Sequence, residues 1–291
     1  MKLEVRVPAT VANLGPGFDC MALAVDVENT VVLDTDAPPG VVIEGEGAGE
    51  LPEDGSNLVV RTMALLAGQV GARLPPFGLR CSNRIPLERG LGSSAAAVVA
   101  GLFLADELLG AGLSEARLLE FAVDLEGHAD NVAAALHGRI ALAYLTTAGW
   151  KVETLAPAAA LRPVLLVPEH ERVSTQDARR VLAPEVPRSD ASFNAGRAAL
   201  LVLALTERPD LLGVALEDRL HQQARLRLAP ASRALFADLK EAGVPVCVAG
   251  SGPSLLAFED GELGWTIPEL GPGWRILRMA VRPAGAAVRR I

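Results

Sequence analysis

The segment Ile85-Pro86-Leu87-Glu88-Arg89-Gly90-Leu91-Gly92-Ser93-Ser94-Ala95-Ala96 constrains the chain more than any other. It follows Leu79–Ile85, which reads as a strand. It opens Ser93–Leu109, an Ala-rich run that reads as a helix closed by Gly110. Glycines at 90 and 92 let backbone N–H groups approach an anion closely. A helix N-terminus adds unsatisfied donors and a partial positive charge. Ser93 or Ser94 can cap the helix, and one hydroxyl can ligate Mg2+. This is phosphate-site chemistry, although an ordinary strand-to-helix turn would carry the same glycines. The pattern is neither G-x-x-x-x-G-K-[ST] nor G-x-G-x-x-G, so neither common nucleotide motif explains it.

The only lysines are Lys2, Lys151 and Lys240, and none stands near this loop. Arginine, backbone N–H groups or metal must therefore meet any phosphate or carboxylate. With 27 Lys+Arg against 35 Asp+Glu the formal net charge is -8, the reverse of the basic excess of a nucleic-acid binder. A length of 291 residues suggests about two domains. Cys20, Cys81 and Cys247 are scattered and form no Cys-x-x-Cys pair, which argues against a disulfide framework or a thiolate zinc site. Met1–Val7 alternates like a charged strand rather than a signal peptide, and no apolar run is long enough for a bilayer. The expectation is a reducing cytoplasm, with no nucleic-acid or membrane partner.

Strands are expected at Leu3–Val7, Met21–Val27, Thr30–Leu33, Val41–Glu44 and Ile140–Leu145. Pro8–Cys20, rich in Pro, Gly and Asn, is a connection long enough to be functional. Helices are expected over Asn57–Gly68, from a Ser114 cap to about Glu126, and then to His137 with Gly138 behind it. Ala156–Ala160 reads as a linker, giving domains 1–155 and 156–291. The second contains strands at Pro163–Val167, Val244–Val248, Leu255–Phe258 and Arg275–Val281. Its helices are Ala195–Leu205, Leu211–Arg219 and Ala231–Glu241. The class is α+β.

Glu120 and the run Glu126-Gly127-His128-Ala129-Asp130-Asn131 add carboxylates near the loop in sequence. Mg-nucleotide needs one or two carboxylates or hydroxyls and keeps several waters. Spacing alone is equally that of a solvated helix face, and His128 alone is that of a structural hydrogen-bonder.

Three blocks together resemble the homoserine kinase family, a branch of the GHMP small-molecule kinases that includes galactokinase and mevalonate kinase. They are Val7–Asp19, Pro86–Ala97 and Val248–Ser254, with Glu126–Val132 also close to the homoserine branch. The resemblance implies a two-domain GHMP-kinase fold. A first domain with a left-handed β-α-β unit, parts of which recur in ribosomal proteins, precedes a ferredoxin-like domain, with the site between them. It implies ATP and Mg2+ as cofactors, with Pro86, Arg89, Gly90, Leu91, Gly92, Ser93 and Ser94 around the phosphates and Asn57 at the adenine. Ser94 and Glu120 would hold the metal. Asn13, Asp19 and His128 would line the substrate site, Asp19 taking the α-ammonium and Arg197 and Arg225 the α-carboxylate. The resemblance also admits a homodimer, for which the sequence carries no interface signature.

The reaction so implied is transfer of the ATP γ-phosphoryl group to the side-chain hydroxyl of L-homoserine, a step of threonine biosynthesis. Other GHMP kinases place an Asp base eleven residues after the metal Glu; here that position is Asn131, which cannot be a base. Asn131 is expected to orient the hydroxyl, with Asp130 as the alternative base. A mevalonate-like or sugar kinase would want Asp at 131, and a non-catalytic relative should have lost Ser94, Glu120 or the glycines. Glu88 departs from the family pattern, which has Gly or a small residue there, and sets a carboxylate beside the triphosphate.

Overall fold

Pro8 lacks a backbone N–H, and the ladder between the first two strands shifts register between Pro8 and Ala9. The computed structural model describes all 291 residues and places this irregularity in the middle of β1 (Lys2–Ala12). Its partner β2 (Met21–Asp34) runs unbroken through Glu28 and Asn29, where two strands were expected. The length of β2 lets its two ends take different neighbours. Met21–Leu23 pairs with β5 (Ile140–Thr146), and Thr30–Asp34 with β4 (Gly78–Asn83). β3 (Gly40–Gly45) crosses through α1 (Leu58–Gln69) to lie parallel to β4. β6 (Gly149–Leu155) extends the sheet beyond β5.

α2 (Ser93–Leu109) is apolar on every side and is accordingly surrounded, by α1, β1, α3 (Glu115–Glu126) and α4 (Asp130–His137). Small side chains make that possible. A Cβ on Gly101 would stand 2.7 Å from the Thr62 Cβ, so α1 and α2 touch almost backbone to backbone. Gly110 and Gly127 end α2 and α3 as their positions in the sequence suggest.

The second sheet is antiparallel, in the order β10-β7-β9-β8. It comprises β7 (Pro163–Pro168), β8 (Val246–Val248), β9 (Leu255–Phe258) and β10 (Trp274–Arg278). Between β7 and β8 run α5 (Thr175–Arg180), α6 (Arg188–Thr206), α7 (Leu212–Ala215), α8 (Gln222–Leu226) and α9 (Pro230–Glu241). The helix expected over Leu211–Arg219 stops at Ala215, because Asp218 turns its carboxylate onto the N–H groups of Leu220, His221 and Gln222. No helix is long and apolar enough to cross a membrane.

The change expected at 155/156 falls between β6 and β7, but the chain then crosses back. β11 (Ala287–Arg290) pairs antiparallel with β1, so the first sheet is completed by residues from the other end of the chain. The main apolar core also ignores the boundary: Leu165, Leu201, Leu216, Leu256 and Phe258 pack in one cluster with Leu14, Leu23 and Leu102. A fragment of residues 1–155 lacks both β11 and these partners. It is expected to show no cooperative thermal transition by circular dichroism, whereas the full chain melts cooperatively.

Candidate active site

The phosphate loop closes at the N-terminus of α2, where Gly92 is the cap residue with φ 68°. No side chain caps this helix, contrary to the expectation for Ser93 and Ser94, so its first-turn N–H groups face the cleft. A Cβ at Gly92 would stand 2.1 Å from the Thr10 Oγ1. At Gly90 a Cβ would stand 2.0 Å from the Ala249 carbonyl oxygen. Ser94 instead donates its hydroxyl to the Glu126 carboxylate, at 2.6 Å.

Two cavities meet at this loop. One, about 230 Å³, is polar and lined among others by Asn13, Asp19, His128, Asn131, Arg179 and Arg225. The other, about 330 Å³, is largely apolar, with Val31, Leu51, Leu58, Val59, Cys81 and Leu87 in its walls. Glu88, Ser93 and Ser94 line both. Asn57 lines the apolar cavity, but its amide is already engaged: Oδ1 caps α1 at the Val59 N–H (3.0 Å) and Nδ2 donates to the Pro52 carbonyl (2.8 Å).

The polar cavity is anchored on the Gly250 carbonyl, which accepts from Asn13 Nδ2 (3.0 Å) and from Arg225 Nη1 (2.6 Å). Burial pulls the Arg225 pKa down to about 10, so the guanidinium stays charged at neutral pH. Its Nε is buried with no partner in the protein. Burial likewise pulls His221 down to about 4, leaving a neutral ring. Nε2 lies 2.8 Å from the Gly15 carbonyl, so it carries the proton, and Nδ1 accepts from Arg225 at 3.2 Å. His221 stacks on Phe18, whose ring centroid is 5.3 Å from the Arg225 guanidinium. His221 thus ties the β1–β2 connection, which runs over residues 13–20 because β1 extends through Pro8 to Ala12, to α8. As a lone histidine without motif spacing it carried no signal in the sequence.

Asn131 is the second residue of α4 and its Oδ1 accepts the Thr10 hydroxyl at 2.7 Å. That bond leaves the Asn131 Nδ2 to donate. Asp130 is buried; its Oδ1 faces the His128 Nδ1 (2.8 Å) and the Asn131 N–H (2.7 Å). Burial opposes a charge on His128, but the Asp130 and Glu126 carboxylates outweigh it and raise its pKa. Burial also pushes the Glu126 carboxyl up, against the Ser94 hydrogen bond.

Two expected site residues are elsewhere. Glu120 pairs with Arg117 (2.8 Å) and turns its carboxylate towards Gly149 of β6, six residues before Glu126 at the loop-facing end of α3. The carboxylate that reaches Ser94 is Glu126, at the last residue of α3. Arg197 stacks on Phe193 and pairs with Glu217 (2.9 Å), outside the cavity lining. Beside Arg225 on the Asp19 side of the cavity stands instead Arg179, from α5. A signal for α5 was available. Ser174 accepts from the Asp177 N–H and donates to its carboxylate, and S-x-x-D is a helix-start pattern. Arg89 lines the polar cavity, but its Nε and Nη2 donate to the Pro168 and Glu169 carbonyls rather than to Glu88.

The family model for the N-terminal domain of GHMP kinases matches residues 57–139. A homoserine kinase of Streptomyces coelicolor is 42% identical, covering 98% of this chain and 94% of its own length. This chain belongs to the homoserine kinase family. A second relative, the homoserine kinase of Streptomyces avermitilis, is also 42% identical, over 98% of this chain and 95% of its own. The crystal structure of homoserine kinase from Cytophaga hutchinsonii matches with a TM-score of 0.82 at 29% identity, covering 99% of this chain and 97% of that one. The resemblance of Val7–Asp19, Pro86–Ala97 and Val248–Ser254 to the homoserine kinase branch, and the GHMP-kinase fold it implied, are borne out.

Glu88 has φ 52°, a left-handed conformation that suits glycine better than a residue with a Cβ. Glu88→Gly removes that strain, about 1 kcal/mol, and a carboxylate from the phosphate mouth. It is expected to tighten ATP binding in calorimetry without lowering the melting temperature. The His128 pKa is raised above its ordinary 6.5. The stability this supplies is fully present below about 6.5 and is lost as pH rises through the folded value. The melting-temperature gap between wild type and His128→Asn should therefore shrink from pH 6 to pH 8.5.

Proposed function

We propose that the chain is an ATP-dependent kinase that phosphorylates the side-chain hydroxyl of L-homoserine, giving O-phospho-L-homoserine. The observation that carries this reading is the junction of an apolar cavity and a charged cavity at an uncapped helix N-terminus. A nucleobase fits the first, phosphates the N–H groups between, and a small zwitterion the second. The names of the Streptomyces and Cytophaga relatives support the same substrate. With three lysines in the chain and none at the loop, triphosphate binding falls to backbone N–H groups, the helix terminus and a divalent cation.

The residues present fit Mg2+. Ser94 and Glu126 offer one hydroxyl and one carboxylate within 2.6 Å of each other, a donor set that leaves places for phosphate oxygens and water. Mg2+ bound there would neutralise charge on the phosphate oxygens. Asp19 suits the α-ammonium group, and Arg179 and Arg225 the α-carboxylate, the buried Arg225 Nε being a donor in want of an acceptor.

Asn131 donates through Nδ2 to the substrate hydroxyl and aligns it, since Thr10 occupies Oδ1. An amide takes no proton at neutral pH, so the hydroxyl proton passes to a phosphate oxygen. Asp130, the alternative base, spends Oδ1 on His128 and on its own helix terminus. His128 positions the substrate side of the cleft.

A coupled assay of ADP release tests the reading with L-homoserine, L-serine, L-threonine and mevalonate; no turnover of any hydroxy amino acid would reject it. Asn131→Ala is expected to lower kcat about a hundredfold, the scale of one lost oriented donor. Asp19→Ala should act mainly on the KM for homoserine. Glu126→Gln should lower kcat and raise the Mg2+ requirement, while Glu120→Gln stays near wild type. The reverse ranking of the two glutamates would remove Glu126 from the metal site.

A further inference from the structure

The two side chains assigned above to the substrate's ammonium and carboxylate are bonded to each other. Arg179 Nη2 lies 3.0 Å from Asp19 Oδ1, and Arg179 Nη1 lies 3.4 Å from Asp19 Oδ2. Asp19 comes from the connection between β1 and β2, where its backbone is left-handed (φ 56°) and its N–H is held by Asn13 Oδ1 at 3.1 Å. Arg179 comes from α5, whose start is fixed by the Val173 N–H on the Glu88 carbonyl and by the burial of Val173 and Ala178 with Ala229. The pair therefore bridges two backbones that are each independently held. Both side chains are about two-fifths exposed, 40% and 38%, so the pair sits at the open end of the cavity rather than beneath it.

A pair so placed is a competitor for any ligand that needs one of its members. An α-amino acid carries both charges on one carbon. It can enter between them, exchanging one internal pair for two new ones and leaving no charge alone. An alcohol with only an ammonium group must break the same pair and then leaves Arg179 without a partner. An alcohol with only a carboxylate leaves Asp19 without one, in a cavity that already holds Glu88, Glu126 and Asp130. We propose that the Asp19–Arg179 pair is a specificity device that admits zwitterionic alcohols and turns away singly charged ones of the same length. This rests on the assignment of Asp19 and Arg179 to the substrate's ammonium and carboxylate.

The test compares wild type, Arg179→Gln, Asp19→Asn and the double variant, each with Mg2+ and a non-hydrolysable ATP analogue. The probes are 3-aminopropan-1-ol, which is homoserine without its carboxylate, and 4-hydroxybutanoate, which lacks the amine. Calorimetry reads their Kd. Arg179→Gln frees Asp19, so it should bind 3-aminopropan-1-ol about threefold more tightly than wild type, the scale of one half-exposed ion pair. Asp19→Asn should gain similarly for 4-hydroxybutanoate. Both gains should vanish in the double variant; relief of a distant like-charge repulsion would survive there. If the two residues only touched ligand, each single variant would leave the probe that it does not contact unchanged. No gain in either arm, undetectable binding included, overturns the proposal. Turnover of L-homoserine by wild type, measured on the same preparation, reports separately on the kinase reading.

Discussion

Two glycine-rich segments, far apart in sequence, touch through their backbones. The Ala249 carbonyl lies where a Cβ of Gly90 would be, 2.0 Å from it, and the Gly90 carbonyl stands 2.6 Å from where a Cβ of Gly250 would be. The phosphate loop belongs to the first sheet's side of the molecule, and Gly250 to the turn between β8 and β9 of the second. Any side chain at either position would wedge the two apart. The Gly250 N–H bonds the Ala12 carbonyl, and its own carbonyl gathers Asn13 and Arg225. One peptide thus sets the distance between the phosphate-loop side of the cleft and the wall that carries Asn13 and Arg225.

The electrostatics follow from that contact. Arg225 is drawn into the interior by a carbonyl and a neutral histidine rather than a carboxylate, so its charge is only partly compensated. A buried charge without a counter-charge is costly, and an incoming carboxylate offsets that cost. The Arg179 charge at the mouth is satisfied by Asp19. The inner arginine therefore supplies attraction and the outer one discrimination. Stability is given up at the inner position for binding, which is where a site of this kind spends it.

Much of this was legible in the sequence because it is encoded locally. The strand–glycine loop–helix unit, the ends of α2 and α3 at Gly110 and Gly127, and the break before Asn131 each depend on residues within a few positions. The misses have a common physical origin. β6 alternates Trp150 and Val152 against Lys151 and Glu153 over one half-exposed edge strand, and α5 and β11 are short and polar, so the apolar signal of each is brief or absent. Nothing local separates Arg179 from Arg197, or Glu126 from Glu120. Each pair lies on helices, and only tertiary packing decides which member faces the cleft. Asn131 was singled out by the family pattern, but that its Oδ1 is taken and its Nδ2 left to donate depends on the Thr10 hydroxyl, a contact across 121 residues.

The return of β11 to β1 also orders events in time. Glu4 and Arg289 meet across 285 residues, so the contact closes nearly the whole chain into a loop. During synthesis the outer edge of β1 stays bare while everything between is being made, an unpaired strand edge of the kind that invites association with other chains. The first sheet thus waits for residues from the far end of the chain, and its exposed edge is a burden that falls on the nascent chain rather than on the folded enzyme.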